Sequence, residues 1–167
     1  MPANVTHMLI AHKAIQTLKA KGIDAMGQRT NLHLIPEDLG QRQLVEVLHS
    51  NEVWDPAAPT VIVAEGLLMY LPPEAVRALF RQCAAITGVG SRMAFSYVGT
   101  RTDSRPDAGP WTGLVLWLLK VGGEPWLWSL RPEELAPFLE ENGWRNAPDS
   151  IASNGRYGVE FFGVALR

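Results

Sequence analysis

The run Thr60-Val61-Ile62-Val63-Ala64 carries no charge and no turn former, and its β-branched side chains favour an extended backbone. A stretch this apolar, without alternation, suits a strand covered on both faces by helices. It stops at Glu65-Gly66. Shortly after, Pro72-Pro73-Glu74 opens a helix, because proline is tolerated in a first turn and an acid is favourable at the positive end of the helix dipole. The stripe Val76, Leu79, Phe80, Cys83 and Ile86 keeps helical spacing, with Gly88 and Gly90 beyond its end. Met93-Ala94-Phe95-Ser96-Tyr97-Val98 then reads as another strand. Repeated switching between the two periods makes this an α/β chain.

The flanks extend the pattern. Residues His7 to Lys21 read as a helix, with Met8, Ala11, Ile15 and Leu18 on one stripe and Gly22 placed to stop it. Leu32 to Ile35 is a short strand broken by Pro36, and after Asp38-Leu39 a second helix carries Leu44, Val47 and Leu48. Gly99 to Pro110 has the composition of a mobile loop, and Trp111 to Trp128 is apolar, interrupted by Gly122-Gly123 and too short to cross a bilayer. Together, residues 100–128 read as a lid or substrate-pocket insertion within a single domain spanning 1–167. Pro132-Glu133-Glu134 opens a last helix with Leu135, Phe138 and Leu139 inward and Gly143 at its end. Pro137 is expected to remove a hydrogen bond there and bend it. Tyr157 to Leu166 reads as a closing strand weakened by Gly158 and Gly163.

Composition narrows the function. Hydrophobic residues at 47% against 19% charged exclude a disordered chain, and no apolar run is long enough for a membrane span. Fifteen basic and seventeen acidic residues leave a net charge of −2, without the excess that nucleic acid or anionic lipid would attract. Neither is an expected partner. One cysteine allows no internal disulfide, and Met1 to Asn4 lacks the features of a secretory leader, so the cytoplasm is the expected compartment. His7, His12, His33 and His49 fall on different elements, and no metal site is expected. Cys83, on the core stripe, reads as a small buried hydrophobe rather than a nucleophile.

The decapeptide Glu65-Gly66-Leu67-Leu68-Met69-Tyr70-Leu71-Pro72-Pro73-Glu74, directly after an apolar strand, resembles the leucine carboxyl methyltransferase family, and within it the bacterial S-adenosylmethionine-dependent O-methyltransferases. The resemblance extends to Pro2-Ala3-Asn4, His12-Lys13, Pro36 to Leu39, Ser91 to Val98 and Pro125 to Trp144. It implies a Rossmann-like class I methyltransferase fold, strand order 3-2-1-4-5-7-6, mostly parallel with a C-terminal antiparallel strand. The family's glycine-rich cofactor loop and the acid ending its next strand have no counterpart in this sequence. The expected fold is therefore truncated, its first two strands missing from between the Leu32 and Val61 strands.

The resemblance also implies roles. Asp38 and Leu39 would meet the adenine of S-adenosylmethionine, Glu65 and Gly66 its amino-acid and sulfonium end, and Tyr70 would shape the methyl-transfer pocket. Tyr97 and Tyr157 are weaker candidates for the acceptor side. Trp111, Trp117, Trp126 and Trp128 either line an acceptor pocket or pack on the core. The implied partner is a small, hydrophobic methyl acceptor, and the chain alone is expected to bind cofactor weakly or not at all. Two other readings stay open: a non-catalytic module that pairs with a second copy or another chain through unpaired strand edges, and a natural protein that starts earlier.

Overall fold

The computed structural model describes residues 6–11, 21–23, 25, 30–37, 42–148 and 159–167. They fall into two compact units, Met1–Asp55 and Pro56–Arg167, each taken by itself.

In the first unit, β1 (His7–Ala11) pairs in parallel with β2 (Leu32–Pro36), His7 opposite Leu32 and Ala11 opposite Pro36. A strand therefore stands where a helix was expected to begin. A short apolar run such as Met8-Leu9-Ile10-Ala11 satisfies either period, and the long-range ladder to β2 decides between them. The remainder of that expected helix, residues 12–20, lies outside the described residues, while residues 21–23 are helical. The Leu32 strand thus has a parallel neighbour that the sequence reading did not provide. Helix α1 (Leu44–His49) buries Leu44, Val47 and Leu48, as the stripe predicts.

The second unit is built on a four-stranded sheet of order β3-β4-β6-β5. β3 (Val61–Ala64) runs parallel to β4 (Arg92–Val98), and α2 (Pro73–Ile86) makes the crossover between them. β6 (Glu160–Leu166) returns antiparallel beside β4, and the two-residue β5 (Arg145–Asn146), which the sequence did not signal, pairs antiparallel with β6. Helix α3 (Thr112–Val121) ends at Gly122 and Gly123. A 3-10 turn (Pro132–Glu134) leads into α4 (Leu135–Glu141). Pro137 accordingly falls in the first turn of α4, where its missing N–H removes no helical bond, and the expected bend has no cause.

Alternation along β4 places Met93, Phe95 and Tyr97 on one face, all buried. Phe80 of α2 meets the Phe95 ring edge-on at 5.1 Å and Phe138 of α4 at the same distance. Trp144, 1% exposed, donates its indole N–H to the Phe80 carbonyl at 2.9 Å and ties α2 to the segment after α4. The opposite face is barer. Val61 and Val63 are 70% and 68% exposed, so β3 is an edge strand of this sheet with one uncovered face, not a strand buried on both sides. Its lack of polar alternation misled, because α2 and α4 reach the sheet from the Phe95 side alone.

Gly163 sits opposite Phe95 in the β4–β6 register. A Cβ there would lie 2.6 Å from the Phe95 ring, and one at Gly99 would lie 2.9 Å from Phe161. The glycine expected to weaken β6 is instead the space into which an aromatic ring is laid. Phe95, 2% exposed and braced by Phe80, has nowhere to retreat. We expect Gly163→Ala to destabilise the chain by about 1–3 kcal/mol through overpacking. A denaturant titration checks this, and an unchanged midpoint would mean the ring moves aside freely.

Candidate functional site

In open sheets ligands collect beyond the carboxyl ends of parallel strands. β3 and β4 are such a pair, and the residues after both ends make the candidate site. After the buried Ala64, Glu65 emerges exposed. Gly66 follows at φ +62°, a conformation that costs glycine nothing, and a Cβ built on it would meet no atom within 4 Å. Its N–H donates to the Ser96 hydroxyl oxygen at 2.9 Å, from the fully buried interior of β4. Ser96 thereby fixes the turn that carries Glu65. Sequence reasoning missed this residue, whose one signal is a small hydroxyl side chain between Phe95 and Tyr97 in β4.

A 3-10 turn (Leu68–Tyr70) then buries Leu68 and Met69 and leaves Tyr70 39% exposed. The Met69 carbonyl accepts the N–H groups of Leu127 and Trp128 at 2.7 and 3.3 Å, and the Val98 carbonyl accepts that of Leu130 at 3.1 Å. These bonds lay residues 127–130 across the ends of both strands. Beyond β4 the loop expected to be mobile contains a hydrogen-bonded turn. Arg101 donates its N–H to the Arg105 carbonyl at 2.9 Å, Ser104 to the Arg101 carbonyl at 3.0 Å, and Thr100 bridges to Pro106. The Asp107 carboxylate accepts the Gly109 N–H at 2.9 Å and the Thr112 hydroxyl at 3.2 Å, which fixes the start of α3.

Between these segments lies a cleft of about 340 Å³. Thr100, Ser104, Ser129, Arg131 and Glu134 supply its polar wall, and Leu127 with Trp128 part of the rest. The Thr100 hydroxyl donates to that of Ser129 at 2.9 Å. None of the polar residues was singled out from the sequence as a site residue, because they are dispersed over two loops that only the fold joins.

Of the residues named from the resemblance, Glu65, Gly66 and Tyr70 share the β3–α2 connection, whereas Asp38, Leu39 and Tyr157 lie outside the described residues. Tyr97 is fully buried and stacked on Phe161 at 5.4 Å; burial, and then the negative charge of Glu133, raise its pKa. It is a core residue. The tryptophans divide: Trp128 packs 5.5 Å from Phe138, while Trp111 and Trp117 stand 72% and 58% exposed beside and on α3. Among the described residues no group of histidine, cysteine and acid side chains is arranged to hold a metal, and no helix is long and apolar enough to cross a membrane.

A cationic ligand group fits this connection at one end. The exposed Glu65 carboxylate can pair with positive charge, and the open space beside Gly66 leaves room for the group that carries it.

Comparison with solved structures gives the class. Mitomycin 7-O-methyltransferase MmcR superimposes with a TM-score of 0.66 at 17% identity, over 97% of this chain and 42% of its own. An O-methyltransferase family 2 protein from Planctomyces limnophilus, solved with apigenin, gives 0.64 at 15% identity, over 97% and 43%. The fold is thus the α/β Rossmann-like fold of class I methyltransferases. Residues 2–84 match the leucine carboxyl methyltransferase family, and the chain is a member of that family. A Frankia alni protein named "Putative S-adenosyl-L-methionine-dependent methyltransferase" is 40% identical over 109 residues, 61% of this chain and 34% of the relative. A like-named Mycobacterium sp. (strain KMS) protein is 34% identical over 119 residues, 62% and 37%. The chain covers about a third of the length of these relatives.

Cys83 takes no part in this site. It is 1% exposed, and burial pushes its thiol up to about 12, against a small opposing contribution from backbone hydrogen bonding. The folded state therefore holds the proton that the unfolded chain releases near 9, so this group's stabilisation is complete below pH 9 and is lost as pH rises toward about 12. We expect an aromatic disulfide reagent at pH 8 to leave the native thiol untouched and to react once denaturant is added. Prompt labelling of the native chain would contradict the burial.

Proposed function

We propose that this chain serves S-adenosylmethionine-dependent O-methyl transfer to a small acceptor. The observation that carries the reading is the exposed Glu65 beside an unobstructed Gly66 at the carboxyl end of a parallel strand, held by Ser96. When bound, the cofactor supplies an electrophilic methyl group on a positively charged sulfur. Glu65 pairs with the positive charge at that end, and Gly66 lets the ligand approach the backbone. Asp38 and Leu39 receive the adenine. Tyr70, half-exposed on the same connection, forms a wall of the transfer pocket. Residues 100–128 cover the acceptor side and exclude water, so that most of the rate comes from alignment. The acceptor oxygen is that of a carboxylate, which needs no base, or of a hydroxyl, which does.

Calorimetric titration with S-adenosylhomocysteine tests this. The chain alone is expected to bind weakly, and Glu65→Gln should lower that affinity about tenfold further, the loss of one charge-assisted contact. Equal affinities for the two chains would remove Glu65 from the cofactor site.

A second reading rests on Val61 and Val63. An edge strand with bare valines is a surface that recruits another strand, which suits a non-catalytic module pairing with a second copy. Sedimentation should then show association that grows with concentration and is abolished by Val63→Lys. A monomer at every concentration would end this reading.

A further inference from the structure

The geometry points to the cleft beyond β4 as a binding site for a compact hydroxy-carboxylic acid, anchored through its carboxylate by Arg131. The inference rests on the methyl-transfer reading only in making this ligand the acceptor. Its volume of about 340 Å³ lies within the range of small-molecule sites, and it opens where the carboxyl end of a parallel strand directs ligands.

Its wall is polar, contrary to the hydrophobic acceptor that the tryptophan-rich stretch suggests. The Thr100 and Ser129 hydroxyls bond to each other and use one of their two protons, which leaves the other for a ligand oxygen. The Arg131 guanidinium, with 40% of the side chain exposed, has its ion-pair partner Glu134 at 3.8 Å, beyond hydrogen-bond length. The other Glu134 oxygen accepts the Arg131 backbone N–H at 3.4 Å. The planar fork is therefore available to a carboxylate. Glu134, on the same wall, accepts a ligand hydroxyl and repels a second acid, which selects a monocarboxylate. Leu127 and Trp128 provide apolar surface for the carbon skeleton.

Ser104 adds an independent sign. Among the described residues it is the one non-glycine with positive φ, at 64°. It occupies the left-handed position of a tight turn, where glycine is the relaxed choice. Ser104 nevertheless lines the cleft. A serine held at a left-handed φ beside the cleft makes its hydroxyl a candidate contact for the ligand.

The test uses the full 167-residue chain and 4-hydroxybenzoate, titrated by calorimetry without any methyl donor. Saturable one-site binding is expected, weakened about tenfold or more by Arg131→Gln, with phenol, which lacks the carboxylate, at least as weak. Ser104→Gly should melt at a higher temperature and yet bind less tightly, a combination that a purely structural serine would not give. The proposal is overturned if the folded chain ignores 4-hydroxybenzoate at millimolar concentration, if phenol binds equally well, or if both variants retain full affinity. Any of these failures leaves the S-adenosylhomocysteine titration, which reports on Glu65, unaffected.

Discussion

The contact between Phe95 and Gly163 is the one on which the Pro56–Arg167 unit depends. Phe95 lies on β4, which is hydrogen-bonded on both sides, to β3 and to β6. Its ring fills the room Gly163 leaves and is met from above by Phe80. That stack decides how closely α2 can approach the sheet, and α2 begins at the end of the connection that carries Glu65, Gly66 and Tyr70. Next along the same strand, on the opposite face, Ser96 holds the Gly66 N–H. Packing on one side of β4 and a single hydroxyl on the other thus place the candidate site.

Much of this was legible in the residues, and the parts that were not share a cause. α2, β4 and α1 follow from local periodicity, and their buried positions match the stripes except at Leu79, which is half-buried. β1 did not, because four apolar residues fit a helix and a strand equally well and the choice is made by β2, more than twenty positions away. Val61 and Val63 misled for a related reason: a sequence records a residue's affinity for burial but not whether a neighbour arrives to bury it. Gly163 reads locally as a weak point, and becomes a fitted one only once Phe95 is known to face it.

The site divides in the same way. Glu65, Gly66 and Tyr70 are contiguous, so a motif can reveal them. Thr100, Ser104, Ser129, Arg131 and Glu134 are drawn from two segments brought together by the hydrogen bonds of Met69 and Val98 to residues 127–130, and no spacing rule anticipates that. The family match, carried by residues 2–84, likewise ends before this wall begins.

The segment that bears α3 is fastened at two points. Thr112 is held by Asp107 at its start, and Leu127 with Trp128 hang from Met69 at its finish. Between these clasps the helix buries little besides Thr112. Such a stretch behaves as a cassette: its length and side chains can drift, or be exchanged by design, while the clasps and the sheet beneath keep their form. A helix of another length or composition would sit between the same two clasps.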